Sequence, residues 1–185
     1  MLKTSAAIDS LALERSESPG VVERVRALQN AIAAETGLAP AHVAVLAVDE
    51  VAGRVVDALH ATGDCYVSLT HGEGWGMGAF DAATLGKPVL IAPFGGPADY
   101  LPEGYSGFIE YRMAPVSGWI AEASYQPPQR WAQPDLADAQ RKMRAMVARH
   151  ADFLEPASVA SERIANRYAE PVVARELIAA LGLRN

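Results

Sequence analysis

The residues best suited to chemistry in this sequence lie in one stretch, THGEGWGMGAFDAATLGKPVLIAPFGG, residues 70 to 96. Glu73 and Asp81 are carboxylates eight residues apart, and both can accept hydrogen bonds from ligand hydroxyl groups. Glycines alternate with other residues from 72 to 78, and Gly95-Gly96 form a second glycine segment. A glycine loop that leads into a helix lets main-chain amides approach an anion such as a diphosphate. The stretch therefore indicates recognition of a hydroxyl-rich, anionic ligand.

Each of these features also has an interpretation without a ligand. The glycines fit a tight strand-to-helix turn, and acids near a helix N-terminus stabilise the helix. Thr70 and His71 are further possible ligand contacts, although a loop histidine also suits a structural hydrogen bond. Ser68 and Thr70 lie in no nucleophile-elbow pattern, because Glu73 and not a serine occupies the turn. Spacing alone leaves both interpretations open.

Strands and helices alternate around this stretch. Residues 42 to 48, 65 to 69 and 89 to 92 are short apolar runs, rich in β-branched residues, that predict buried strands. Residues 79 to 85 predict a helix between the last two strands. This alternation predicts an α/β fold, with an open parallel Rossmann-like sheet and helices on both faces. Ligands of such sheets bind beyond the carboxyl ends of the strands, where both glycine segments fall.

The remaining elements fit one domain that covers residues 1 to 185. Ser18 and Pro19 predict the start of a helix that closes at Gly37. Residues 111 to 134, rich in Pro, Trp and Tyr, predict a folded excursion over the sheet edge. Helices are expected over 136 to 153 and 158 to 181, with a kink at Pro171. Residues 157 to 185 then form a terminal helical segment.

The central stretch resembles a large family of retaining glycosyltransferases, often called family four. That family carries a Glu, seven residues, then a second Glu, within an E-G-aromatic-G pattern, an acidic-Ala pair, a Gly-x-Pro-Val segment and a Gly-Gly pair. Here the corresponding residues are Glu73-Gly74-Trp75-Gly76, Asp81-Ala82, Thr84-x-Gly86-Lys87-Pro88-Val89 and Gly95-Gly96, with Thr84 where the family has Ala. The resemblance extends more loosely from Leu2 to Ile109 and includes the segment from Trp131 to Asp135. It implies one half of a GT-B fold, namely the carboxyl-terminal domain that binds the nucleotide-sugar donor.

The resemblance also implies roles for individual residues. Glu73 would be the catalytic residue that contacts the transferred sugar, and Asp81 would bind the ribose, although Asp81 is one methylene shorter than the family's Glu. The loop that holds the sugar and diphosphate would consist of Gly74, Trp75, Gly76 and Met77, with Thr70, His71, Gly95 and Gly96 as possible further contacts. The implied partners are a nucleotide diphosphate sugar and an acceptor, either a glycan or a lipid-linked sugar. We expect an amino-terminal Rossmann domain, and the first strand with its Arg-Lys pair, to come from a segment or chain outside this sequence.

Composition narrows the class of protein. A net charge of -6 argues against a nucleic-acid groove or an anionic membrane as the main partner. Cys65 is the only cysteine, which fits a reducing cytoplasm, and its apolar surroundings in the sequence predict a core residue. No apolar run is long enough to span a membrane. We expect no cofactor, and with no Asp-x-Asp sequence we expect metal-independent chemistry.

Three functions compete at this point. The first is glycosyl transfer from a nucleotide diphosphate sugar, with this chain as the donor domain. The second is a non-catalytic or split-subunit nucleotide-sugar-binding module that is inactive alone. The third is a sugar-nucleotide epimerase, which shares the double-Rossmann architecture and needs a second half as well.

Overall fold

The computed structural model describes residues 2–4, 20–39, 43, 45–47, 53–116 and 128–183. The chain divides into two compact units, Met1–Val56 and Asp57–Asn185. The expectation of one domain over 1 to 185 stays a prediction. Within the described residues, no helix is both long enough and apolar enough to cross a membrane.

The first unit contains one parallel strand pair and one long helix. Strand β1 (Leu2–Thr4) pairs in parallel with β2 (Val45–Ala47), so part of the strand predicted over 42 to 48 forms. Helix α1 (Val21–Thr36) ends as predicted at Gly37, whose φ of 68° is a left-handed C-cap conformation. Ser18 and Pro19, predicted to begin this helix, lie outside the described residues. Leu28 and Ile32, apolar residues four positions apart in this helix, are 61% and 51% exposed.

The second unit carries the strands and helices around the glycine stretch. Helix α2 (Gly53–Thr62), which spans the division between the two units, precedes β3 (Tyr66–Val67), and helix α3 (Met77–Thr84) precedes β4 (Val89–Leu90). Strands β3 and β4 pair in parallel, and Ile91 extends the arrangement through a parallel bridge to Phe108. A short helix, α4 (Gly96–Tyr100), follows β4. The strand-helix-strand order with parallel pairing confirms a mixed α/β class.

The predicted broad sheet is not seen among the described residues. They form three separate two-stranded pairings, two parallel and one antiparallel. The predicted strands are also longer than the observed ones, since only two residues pair in each of β3 and β4. What the structure establishes is therefore the parallel β3-α3-β4 unit rather than the whole open sheet.

Helix α3 begins two residues before its predicted start at 79. Gly76 turns the chain with a φ of 77°, so the helix starts at Met77 and includes Gly78. A glycine suits position 78 because the Tyr66 ring packs against it: a Cβ there would lie 2.8 Å from the Tyr66 hydroxyl. The glycine turn is thus shorter than the alternating pattern suggested.

The excursion predicted over 111 to 134 contains an antiparallel pair, β5 (Tyr111–Pro115) with β6 (Arg130–Pro134). Residues 117 to 127 lie outside the described residues. Asp135 then caps helix α5 (Leu136–Ala148) by accepting from the amides of Ala137 and Asp138. Its own amide donates to Glu110 O at 2.7 Å, which ties the two ends of the excursion together.

The carboxyl-terminal helices differ from their predicted bounds. Helix α6 (Ala151–Arg167) begins well before residue 158, because Pro156 is accommodated inside it at the cost of one main-chain hydrogen bond. Pro171 does not kink a helix, because it lies in the first turn of a new one, α7 (Glu170–Ala180). The terminal helical segment is therefore two helices with a break at Tyr168 and Ala169.

The core of the second unit lies between the β3-α3-β4 segment and the helices that follow. Ala79, Ala82 and Ala83 of α3 pack with Ala160 and Ile164 of α6, and Val89, Ile91, Tyr100, Leu101 and Tyr105 complete the cluster. A second cluster contains Leu90, Ile109, Ala139, Met146 and Phe153. The small alanines of α3 allow α6 to approach closely, so the helix that follows the glycine loop is fixed in the core.

Candidate functional site

The two glycine segments cross each other after the ends of β3 and β4. The Gly96 amide donates to Gly74 O at 2.8 Å. A Cβ at Gly95 would overlap the Glu73 carbonyl oxygen, and one at Gly96 would lie 2.6 Å from Trp75 Cα. Gly95 also has a φ of 71° and a ψ of -143°, a conformation that essentially only glycine adopts. The glycines at 95 and 96 are therefore required for the crossing itself.

A buried tyrosine contacts the main chain beside the crossing. Tyr100, in α4, has no exposed surface and donates from its hydroxyl to Gly76 O at 3.4 Å. Gly76 is buried and begins α3, so this contact links the start of one helix to the end of the other. The first turn of α3 carries main-chain amides without intrahelical acceptors. Such amides, next to a loop whose residues from 72 to 75 are mostly exposed, suit an anionic ligand.

Glu73 lies in this loop and contacts a neighbouring hydroxyl group. Its side chain is half-buried, and its Oε2 accepts from the Thr70 hydroxyl at 3.4 Å. Thr70 in turn lies 3.2 Å from the Ser68 hydroxyl. The carboxylate thus ends a short series of hydroxyl groups, an arrangement that can exchange hydrogen bonds with the hydroxyls of a sugar.

Asp81 lies in the second turn of α3 and is exposed. Burial raises the pKa of Tyr66 and of Tyr100, and the negative charges of Glu73 and Asp81 raise both pKa values further. Both carboxylates are therefore within electrostatic reach of the same two phenols.

Three aromatic rings, those of Phe80, Tyr100 and Tyr168, pack around Trp75 of the loop. The Trp75 ring lies 5.3 Å from Phe80, 5.4 Å from Tyr100 and 5.2 Å from Tyr168, measured between centroids. Trp75 nevertheless keeps 37% of its surface exposed. The contact with Tyr168 is edge-to-face and those with Phe80 and Tyr100 are tilted, and together they fix the orientation of the Trp75 ring. Trp75 thus joins the loop to the core and still has ring surface available to a ligand.

His71 makes structural contacts with the β6 strand. Its ring stacks on Trp131 with centroids 4.3 Å apart, and its Nδ1 lies 3.2 Å from Ala132 O. Because a carbonyl only accepts, His71 Nδ1 is the donor in this hydrogen bond. The main chain is held as well, since the Ala132 amide donates to His71 O at 2.9 Å.

Cys65, which was considered from the sequence, takes no part in this site. Burial raises the pKa of Cys65 to about 11, and its thiol donates to Tyr66 O, so it behaves as the predicted core residue and not as a nucleophile. No three His, Cys, Asp or Glu side chains are grouped in a metal-binding arrangement within the described ranges. A small open recess at the base of the β5-β6 pair carries mixed charge and is lined by Glu110, Tyr111, Arg112, Gln133, Pro134 and Asp135.

The structure brings most of the predicted site residues into one neighbourhood. Glu73, Gly74, Trp75 and Gly76 lie at the crossing with Gly95 and Gly96, while Thr70 touches Glu73. Met77 is 72% exposed at the start of α3. Sequence reasoning missed Tyr66, Tyr100 and Tyr168, which carry no local pattern that distinguishes them from ordinary core aromatics.

Comparison with known proteins adds no relative. No protein-family model matches the chain, and no curated protein matches it.

Proposed function

We propose that this chain is the donor-binding domain of a glycosyltransferase that transfers a sugar from a nucleotide diphosphate sugar to a glycan or lipid-linked acceptor. The observation that carries the proposal is the crossing of the two glycine segments beside Glu73. It joins a carboxylate, the amides of a helix N-terminus and exposed aromatic surface at one place. A sugar, a diphosphate and a nucleoside need these three kinds of contact.

We assign the roles by the resemblance of residues 73 to 96 to the glycosyltransferase pattern. Glu73 contacts the transferred sugar, and the amides from Gly74 to Met77 hold the diphosphate and stabilise it as it departs. Asp81 binds the ribose, as its match to the second acid of the glycosyltransferase pattern implies, and it lies one helical turn beyond Met77 on the same helix. Sugar transfer requires electrostatic stabilisation of the departing diphosphate and positioning of the donor, and fixed main-chain amides supply both.

The proposal includes a finer fold than the α/β class. We take the fold to be one half of a GT-B fold, with an open parallel Rossmann-like sheet. The parallel pairing of β1 with β2 and of β3 with β4, and the strand-helix-strand order, support it. The acceptor then binds across a cleft completed by a second Rossmann domain or a partner chain.

Calorimetric titration with UDP-, GDP- and ADP-sugars tests the proposal. We expect one nucleotide class to bind the wild-type chain, and Glu73→Ala to weaken that binding. Glu103→Ala is the control, because Glu103 is an exposed carboxylate outside both glycine segments. Equal affinity of the Glu73 variant and the wild type, or no binding of any nucleotide sugar, would contradict the proposal.

Turnover separates transfer from binding alone. Release of free sugar from the bound donor, or transfer to an acceptor once a partner Rossmann domain is added, is expected of a transferase. Donor binding with neither activity would instead favour the non-catalytic module.

A further inference from the structure

We propose that Trp131, acting through His71, is a positioning residue that sets the place of Glu73 for sugar recognition. This inference rests on the proposed function. It assigns a task to the β5-β6 excursion, whose two strands pair only with each other among the described strands.

The segment that leads to Glu73 needs a support of its own. Regular pairing of β3 ends at Val67, and Ser68 is the last residue held by β4, through its amide to Leu90 O at 2.9 Å. Gly74 is the next point held by a glycine segment, through Gly96. Without a further contact, the residues between Ser68 and Gly74 would be fixed only at their ends, and loops of this kind are mobile.

Strand β6 supplies the contact at His71. The Ala132 amide and carbonyl hold the main chain and the side chain of His71 respectively, at 2.9 and 3.2 Å. Ala132 has no exposed surface, so this anchor belongs to the core. The Trp131 ring then lies on the imidazole at an angle of 18°, which fixes the plane of the ring.

Glu73 is thereby held between anchors at His71 and Gly74, two residues before it and one residue after it. A carboxylate on a flexible loop loses the geometry that selective recognition needs, and small displacements of a positioned group carry large penalties. Trp131 itself need not touch the ligand. Its effect should appear only in interactions that Glu73 makes, which is what separates positioning from general support of the fold.

The test compares binding of a nucleoside diphosphate with binding of its sugar conjugate, using UDP, GDP and ADP and their glucose and mannose conjugates. Trp131→Leu keeps an apolar side chain and removes the stacking ring. We expect roughly fivefold weaker binding of the sugar conjugate and unchanged binding of the nucleoside diphosphate, since one aromatic pair is lost. Trp131→Phe retains a ring and should recover the wild-type affinity.

A double-mutant cycle then tests whether Trp131 acts through Glu73. In a Glu73→Ala background, Trp131→Leu should cause no further loss of sugar-conjugate binding. Met113→Ala, which removes a partly exposed side chain from the same strand pair, is the control and should leave both affinities unchanged. If Trp131→Leu fails to fold, His71→Asn replaces it, because an Asn amide can still donate to Ala132 O but has no ring to stack.

Each result is decisive. Equal losses for the nucleoside diphosphate and its conjugate, additive effects of the two changes, or no effect of Trp131→Leu would overturn the positioning role while leaving the proposed function intact. If the wild-type chain binds no nucleotide and no conjugate, the proposed function itself fails, and this inference fails with it.

Discussion

At the scale of the residue, the proposed function gives the two carboxylates contacts with different parts of the ligand. Glu73 lies in the crossing with a hydroxyl partner, whereas Asp81 is exposed on α3, one turn past the loop. Both carboxylates raise the pKa of the same two phenols, half-buried Tyr66 and buried Tyr100, although one lies in the loop and the other on the helix.

This division predicts different losses for the two variants. Asp81→Asn should weaken a nucleoside diphosphate and its sugar conjugate equally, by about tenfold, because a charge-assisted hydrogen bond to the ribose is replaced by a weaker one. Glu73→Gln should weaken only the conjugate. Parallel titrations of both variants with both ligands measure this, and a loss confined to the conjugate in Asp81→Asn would place Asp81 on the sugar instead.

The sequence could indicate which residues are site candidates, but it could not predict the contacts between them. The types of Glu73, Asp81, Gly95 and Gly96 made them candidate ligand contacts, although their spacing alone left a purely structural interpretation open. The stacking of His71 on Trp131 joins residues 60 positions apart, through a strand pair that no local pattern announces. Long-range pairing of this kind depends on tertiary structure, which spacing does not encode.

At the scale of the element, the crossing of the glycine segments depends on main chains that touch. Gly96→Ala should destabilise the fold and abolish donor binding, because its Cβ would lie against Trp75 O and Cα. Gly72→Ala is the matched control, since nothing lies within 4 Å of a Cβ there. Thermal unfolding of the two variants compares them, and equal melting temperatures would contradict the close approach.

A buried ion cluster fixes α5 to the segment after β4. Asp138, with 5% of its side chain exposed, pairs with Lys142 at 3.1 Å and with Arg141, and accepts from the Glu110 amide at 2.8 Å. The Lys142 amine also donates to Phe108 O. Burial acts to raise the pKa of Asp138, but the Glu110 amide and the Lys142 and Arg141 charges outweigh it and hold the pKa below its ordinary value.

Removing this carboxylate should therefore cost stability in a pH-dependent way. We expect Asp138→Ala to lower the free energy of unfolding by about 3 to 5 kcal/mol near neutral pH, because Lys142 loses its buried partner. Asp152→Ala, which removes an exposed ion pair, should cost less than about 1 kcal/mol.

The sign of the pH dependence follows from the lowered pKa. The folded state binds the Asp138 proton less readily than the unfolded state, so this contribution is complete above the unfolded pKa, about 4. It is lost as the pH falls from there through the lower folded pKa. Denaturant unfolding from pH 7 to pH 2 measures the gap between wild type and Asp138→Asn, and a gap that widens toward acid would contradict this.

Element types were more predictable than element ends. The helix after the glycine loop was expected, but its start at Met77 depends on Gly76 adopting a left-handed φ, which the alternating glycines leave undetermined. Pro171, expected to kink a helix, lies in the first turn of α7, and Pro156 lies inside α6, which begins before the predicted residue 158. A proline fits the first turn of a helix without losing a hydrogen bond, so its place in the sequence alone does not decide whether it starts or bends a helix.

At the scale of the whole molecule, the proposed single domain makes a thermodynamic prediction. If residues 1 to 185 unfold as one domain, calorimetry should show one transition, with the calorimetric enthalpy equal to the van't Hoff enthalpy. Two transitions would mean that Met1–Val56 and Asp57–Asn185 are independent folding units. Adding the donor should raise the temperature of the transition that contains the glycine crossing.

The central claim is that a nucleotide sugar binds at the crossing of the two glycine segments, and hydrogen–deuterium exchange with and without the tightest-binding donor tests it most directly. The account predicts slower exchange of the amides from Gly72 to Gly78, from Phe94 to Gly96 and at Ala98. This protection should be reduced in Glu73→Ala. Protection elsewhere, for example at the recess around Arg112 and Gln133, with none at the crossing, would contradict it.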